Sequence, residues 1–209
     1  MKIVLFGAPG SGKGTQAVVL SAHYNVRTIS LGDILRQEVK SGSSVGQQVK
    51  SYMERGLLVS DELVSRVIEE NVDNEGFILD GYPRNLAQAK VLDSIFKKKK
   101  IEYDAFIYLE VDEKTLINRL SKRLVCKKCG ANYHIENMPP KSTGICDLCG
   151  DELIQRKDDT PEVIRKRLEV FVGQSQAILD FYKSQGKFIE VNASAEKDEV
   201  FARILKILT

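Results

Sequence analysis

The sequence predicts an α/β fold: a doubly wound, mainly parallel five-stranded sheet with helices on both faces. Three observations carry that reading. Short β-rich runs recur at 2–6, 27–30, 77–80, 105–111 and 188–191 with helical patterns between them, and such alternation implies βαβ units. Several of the runs are apolar on consecutive residues, the pattern of strands covered on both sides. Gly7, Gly32 and Gly81 each fall just past the end of a run, and ligands of open α/β sheets gather beyond the carboxyl ends of the strands. At 209 residues the chain can bury one sizeable core and carry an inserted module.

The first strand, Ile3-Val4-Leu5-Phe6, runs into Gly7-Ala8-Pro9-Gly10-Ser11-Gly12-Lys13-Gly14-Thr15, and a helical segment follows at 16–23. Strand, glycine loop and helix are the context of a phosphate-binding P-loop. Its glycines remove the Cβ atoms that would keep backbone N–H groups away from an anion at the positive end of the helix. Lys13 adds a point charge for the terminal phosphates. Gly7 and Gly12-Lys13 fit the G-x4-G-K core, but Gly14 stands where Ser or Thr is usual and Thr15 comes one residue later. A hydroxyl is thus still near a magnesium ion, less directly placed.

Residues 31–59 hold no long strand and read as a small insertion of short helices broken at Gly42, Gly46 and Gly56. Ser60-Asp61-Glu62 opens the next helix, with Leu63, Val64, Val67 and Ile68 at helical spacing. Phe77-Ile78-Leu79-Asp80-Gly81-Tyr82-Pro83-Arg84 then sets an acid at the tip of an apolar strand. That is the place of a Walker-B aspartate, which holds magnesium directly or through water; a cap for the helix at 85 is the plainer alternative. Arg84 offers a two-pronged phosphate grip that Lys lacks. The lysine run at 97–100 is expected to be a solvated helix end. Thr160-Pro161-Glu162 supplies cap, proline and first-turn acid for a further helix. Ile164, Leu168, Phe171, Ile178 and Tyr182 form its apolar stripe, and Arg167 stands outside it.

All cysteines of the chain lie in C-x2-C-x16-C-x2-C: Cys126, Cys129, Cys146 and Cys149. This is zinc spacing. Four thiolates complete a tetrahedral site with no position for water, so the metal is expected to be structural. Little apolar sequence lies between the pairs, so the metal is expected to supply the folding energy there. An iron–sulfur cluster or unligated thiols are the alternatives. Arg119, Lys122 and Arg123 precede this ribbon, and Arg156 and Lys157 follow it, so their charges should converge at its base.

The formal charge is +2, which gives no support for a nucleic-acid-coating protein. No apolar run approaches the roughly 20 residues needed to span a bilayer, and the start of the chain shows no signal-peptide pattern. A soluble, cytoplasmic protein without membrane or nucleic-acid partners is expected. His23 and His134, the two histidines, sit beside no nucleophile; His134 is expected at the surface.

Taken together, Gly7 to Thr15, Gly32-Asp33-Ile34-Leu35-Arg36, Asp80 to Arg84 with Gln88, Arg119 and Arg123, the cysteine set, Gln155-Arg156-Lys157-Asp158-Asp159 and Arg165-Lys166-Arg167-Leu168 closely resemble the long-lid, zinc-containing adenylate kinases. The resemblance covers essentially the whole chain. It implies the magnesium-dependent reaction ATP + AMP ⇌ 2 ADP by a monomer. It also implies a core of 1–30, 60–121 and 160–209, a monophosphate-binding insertion at 31–59 and a zinc-binding lid at 122–159. ATP would be held by Gly10, Ser11, Gly12, Lys13, Gly14, Thr15, Arg119, Arg123, Asn132 and Tyr133, with Arg119 stacked on its adenine. AMP would be held by Leu31, Arg36, Leu57, Leu58, Val59, Gly81, Tyr82, Pro83, Arg84, Gln88, Arg156 and Arg167. Lys13, Arg84, Arg123, Arg156 and Arg167 would serve the transfer, with Asp158 and Asp159 orienting the lid arginines. Asp80 and Thr15 would hold magnesium through water.

Three departures from the family pattern stand out. Leu31 replaces a usual Thr near the AMP site, Lys122 a common Gly beside Arg123, and Ala193 a common Gly after Asn192. The competing expectations are a monophosphate kinase of other base specificity (GTP:AMP or UMP/CMP), a zinc-ribbon nucleic-acid binder and a non-catalytic nucleotide sensor. Gln88 favours adenine, since its amide offers both a donor and an acceptor to the Watson–Crick side of the base. Related pyrimidine kinases tend to carry Asn there, and a short lid.

Overall fold

The computed structural model describes residues 1–208. In chain order it runs β1 (Lys2–Gly7), α1 (Lys13–Tyr24), β2 (Arg27–Ser30), α2 (Leu31–Ser41), α3 (Ser44–Glu54), α4 (Asp61–Asn71), β3 (Phe77–Asp80) and α5 (Leu86–Lys99). There follow β4 (Ala105–Glu110), α6 (Glu113–Ser121), β5 (Arg123–Cys126), β6 (Asn132–His134), β7 (Leu153–Ile154), α7 (Pro161–Lys183), β8 (Phe188–Asn192) and α8 (Lys197–Leu208). Five strands form one sheet in the order β2-β3-β1-β4-β8, with every neighbouring pair parallel. Each lies where the β-rich runs predict it, to within one residue at its ends.

β1 takes a central place because it is apolar on both faces. Val4 and Phe6 pack with Phe77, Leu79 and Phe106 on one side. Ile3 and Leu5 pack with Ile78, Ala105 and Ile107 on the other, as strand alternation requires. The first face is closed by α4, α5 and α7 through Ile68, Leu92 and Ile178. There Phe106 and Tyr182 stack with centroids 3.7 Å apart. The second face is closed by α1 and α8 through Leu20 and Ile204. The parallel register sets Gly7 beside Leu109, and Asp80 beside both Leu5 and Ser30. The glycine loop, Asp80 and the start of α2 therefore open at one sheet edge. Between α6 and α7 the chain makes a separate antiparallel sheet, β6-β5-β7, which carries the cysteines.

Four local expectations change. Gly42 and Gly56 do end α2 and α3, with φ of +73° and +68°, but Gly46 lies inside the first turn of α3. A Cβ there would come 2.0 Å from the Glu38 carbonyl oxygen, so Gly46 is where α3 crosses the α2 backbone. Asn85, not Asp80, caps α5, its side chain accepting from the Gln88 N–H; Asp80 is left for chemistry. Lys97 and Lys98 are exposed, but Lys99 turns in and donates to the carbonyls of Glu69 and Val72, closing the end of α4. Thr160 holds the N-cap position with Pro161 behind it, yet its side chain makes no capping bond.

Candidate active site and metal centre

The glycine loop is folded tightly on its own strand. Gly7 has φ +152°, and a Cβ there would meet Ser11 Oγ at 2.7 Å and the Leu109 carbonyl at 2.8 Å. Gly12 caps α1 in a left-handed conformation that points the first helical N–H groups outward. Lys13 curls back into the loop, donating to the carbonyls of Gly7 (2.8 Å) and Ala8 (2.9 Å). Burial brings its pKa down to about 8; Asp80 opposes the fall, and Arg84, Arg167 and Arg123 add to it. Burial raises the Asp80 carboxyl, while Lys13 and Arg84 pull it back.

Around this loop lies one cleft, lined from the glycine loop, α2, the segment 56–59, the 80–84 turn, β6, α7 and the loop after β8. It brings together Gly10, Ser11, Gly12, Lys13, Gly14, Thr15, Arg36, Leu57, Leu58, Val59, Asp80, Gly81, Pro83, Arg84, Arg119, Arg123, Asn132, Tyr133, Arg156, Asp158 and Arg167. Four expected residues lie behind its wall. Leu31 is core. Tyr82 is buried, with its hydroxyl 2.9 Å from Ser65 Oγ. Asp159 and Gln88 are each 1% exposed.

The guanidinium groups are organised by carboxylates. Arg123 makes a two-pronged pair with Asp159 (2.8 and 2.6 Å), and Arg156 an equivalent pair with Asp158 (2.8 and 2.6 Å). Arg167 donates to the Asp158 carbonyl and to Asp159 Oδ1, each at 3.0 Å. Planar, charge-assisted pairs of this kind fix orientation as well as charge. Burial works against the Asp158 charge, but Arg156 and Arg167 outweigh it and hold that carboxyl well below the usual range. Burial lowers Arg167 to about 10. Across the cleft Arg36 pairs with Asp33, and Arg84 Nε donates to the Gly81 carbonyl at 2.9 Å.

Gln88 is engaged at both ends of its amide. Its Oε1 accepts from the Arg84 N–H (2.7 Å) and its Nε2 donates to Asp61 Oδ1 (2.8 Å). Asn85 Nδ2 reaches the same oxygen at 2.9 Å. Asp61, read only as a helix opener in the sequence, therefore ties the start of α4 to the start of α5 beside the Arg84 turn. Its side-chain role left no local signal.

On the other side Arg119 grips the loop after β8 through the carbonyls of Ala193, Ser194 and Ala195 at 2.9–3.2 Å. Ala193 is buried there and its N–H donates to Glu110, so a Cβ fits in place of the usual Gly. Lys122 ends α6 and pairs with Glu136. His134 is not at the surface: it is 9% exposed and lines the cleft. Its Nδ1 accepts from the Glu136 and Asn137 N–H groups (3.1 and 3.0 Å), so the neutral ring carries its proton on Nε2. Burial lowers its pKa. Only the alternation of β6 turns His134 inward.

The four cysteine sulfurs lie within 4.8 Å of one another. Cys126 Sγ is 3.4 Å from Cys149 Sγ, and Cys129 Sγ is 3.6 Å from Cys146 Sγ. Those separations suit thiolates about 2.3 Å from a central metal, and all four thiols are free of disulfides. The residues therefore fit a structural thiolate-bound ion. Each C-x2-C turn closes through its glycine, with Gly130 N–H bonded to the Cys126 carbonyl and Gly150 N–H to that of Cys146.

A bare-backbone loop, an acid on the neighbouring strand and converging guanidiniums form a receptor for polyphosphate, and the molecule is of the P-loop nucleotide-binding class. The family model described as adenylate kinase matches residues 5–187. Relatives named adenylate kinase include those of Caldicellulosiruptor bescii and Clostridium tetani, each 42% identical with all of this chain covered and 99% and 98% of theirs. That of Lachnospira eligens is 44% identical with both chains fully covered. The chain belongs to the adenylate kinase family, and it is an enzyme of that phosphotransferase class. Among the described residues no helix is long and apolar enough to cross a membrane.

Proposed function

We propose that this chain transfers the terminal phosphoryl group of ATP to AMP, reversibly, in a cleft assembled from three parts of the chain. The observation that carries the reading is the convergence of Lys13, Arg36, Arg84, Arg123, Arg156 and Arg167 on one cleft. Phosphoryl transfer needs positioning and charge neutralisation more than covalent chemistry. The acceptor is already a phosphate oxygen, so no strong base is required, and the Nδ1 of His134, which lines the cleft, is already taken by two backbone N–H groups.

The glycine-loop N–H groups and Lys13 hold the donor phosphates once Lys13 leaves the Gly7 and Ala8 carbonyls. Arg36 and Arg84 hold the monophosphate. Arg123, Arg156 and Arg167 surround the group in flight, already aimed by Asp158 and Asp159. Asp80 and Thr15 are the residues that would hold magnesium, which supplies charge neutralisation on the phosphates. Cys126, Cys129, Cys146 and Cys149 would hold zinc, which supplies structure only.

The segments 31–59 and 122–159 act as two flaps that exclude water from the transferring group, and closure of this kind is a known property of adenylate kinases. The contact of Lys40 Nζ with the Lys127 carbonyl (3.4 Å) supports their apposition. A monomer in the cytoplasm, without nucleic-acid partners, completes the proposal. Assays pairing four nucleoside triphosphates with four monophosphates test it. ATP with AMP should turn over fastest, and any faster pair overturns the assignment. A bisubstrate mimic joining two adenosines through five phosphates should bind tightly.

A further inference from the structure

We propose that Tyr133 is a positioning residue of the metal knot: its hydroxyl donates to the Cys146 sulfur and thereby holds β6 so that Asn132 and His134 face the nucleotide cleft. The proposal rests on the metal-binding reading of the cysteines and adds a residue to it. β6 is only three residues long, with Leu124 opposite Tyr133 on β5 and, beyond that ladder, a single isolated bridge from His134 to Met138. Backbone pairing of that extent is weak, so a side-chain anchor matters. Strand alternation sends the Tyr133 side chain to the face opposite those of Asn132 and His134, packed in the cysteine cluster, so what Tyr133 presents to the cleft lining is its backbone. Its ring is 7% exposed and packs with Cys126, Cys146 and Leu153.

The direction of the bond follows from its neighbours. The Asp147 N–H donates to the Tyr133 hydroxyl oxygen at 2.8 Å, which leaves the hydroxyl hydrogen free. Cys146 Sγ lies 3.5 Å from that oxygen, within O–H···S reach. A metal-bound thiolate keeps lone pairs and accepts such a bond, and hydrogen bonds to metal ligands tune how firmly the metal is held. On the cleft side Asn132 approaches the glycine loop at Gly14, and His134 is fixed by the turn that follows it. One strand thus joins the metal knot to the donor side of the cleft, and Tyr133 is its fastening.

The test uses full-length, metal-loaded protein and Y133F, which keeps the ring and removes only the hydroxyl. Metal release to a chromophoric chelator should be about tenfold faster in Y133F. In the cobalt-substituted proteins the thiolate-to-metal charge-transfer bands should shift between wild type and Y133F. The KM for ATP should rise several-fold with kcat little changed. Equal release rates and superimposable cobalt spectra overturn the proposal. In the wild-type protein the Tyr133 hydroxyl proton should exchange slowly with solvent. Exchange as fast as that of the exposed Tyr52 overturns the proposal without any variant. Purified protein that binds no metal at all removes the metal reading and this inference together, whereas bound metal indifferent to Y133F removes this inference alone.

Discussion

The parallel sheet and the cysteine ribbon reach order by different physical routes. Strands β1, β3 and β4 are buried on both faces by helices, and Ile3, Val4, Phe77, Ile78, Leu79, Phe106 and Ile107 are all 0% exposed. The apolar cluster of the ribbon is only Cys126, Tyr133, Cys146 and Leu153, with Leu124 and Ala131 against them. So small a cluster cannot offset the conformational entropy of ordering some forty residues, at about 1–2 kcal/mol each. The sheet is held by apolar burial, whereas the ribbon depends on the metal ion proposed for its four cysteines. A phosphate cradle needs a rigid base, whereas a flap needs a stable unit that can move as a body.

The sharpest way to break that contrast is to remove the metal. Chelation should unfold 122–159, since binding of a structural zinc is worth on the order of 10 kcal/mol or more to such units. Hydrogen exchange should show protection lost across β5, β6 and β7 and retained across β1, β3 and β4. Equal loss in both regions would put the whole fold under metal control.

Next in size is Arg84→Ala. It should lower the transfer rate by about 10³-fold, on the order of 4 kcal/mol in the barrier, with the melting temperature almost unchanged. Near-normal turnover would remove Arg84 from the phosphate contacts.

Gly46→Ala probes the crossing of α2 and α3. Forcing a methyl group against the Glu38 carbonyl should cost about 1–3 kcal/mol, read as a lower urea midpoint. The chelator response of the ribbon should be unchanged.

The smallest expected effect is a protonic one at Lys13. Its pKa in the folded protein is about 8, below the 10.5 of the free side chain. The penalty on the charged form is therefore fully present below pH 8 and relieved as pH rises from about 8 to 10.5, where the unfolded chain binds more protons. Phosphates restore the charge. ATP binding near pH 8.5 should then take up a fraction of a proton, and affinity should fall as pH rises through this window. Calorimetry in buffers of different ionisation enthalpy reads the uptake directly, and a zero uptake would show that Lys13 stays charged.

Much of the site was legible because its chemistry is local. The glycine loop, the acid at the tip of β3 and the paired cysteines each act through neighbours a few residues away, and periodicity and spacing report such neighbours. Other features came from distant chain. Gly46 looked like a helix break because the Glu38 backbone that demands it belongs to another helix. Lys99 and His134 looked solvated because the carbonyls and strand that enclose them lie elsewhere. Gln88 carried the expected amide, but its engagement by Arg84 and Asp61 depends on α4 meeting the 81–84 turn.

By itself the sequence determined the parallel sheet, the phosphate loop, the thiolate set and the identity of the charged residues. These follow from hydrophobic period, from glycine at backbone positions that exclude a Cβ, and from ligand spacing. Tertiary structure alone decided which carboxylate aims which arginine, which face of β6 meets the cysteine cluster, and that Asp61 binds two amides at once. Those depend on distances between segments far apart in the chain, and such distances exist only after the apolar faces have packed.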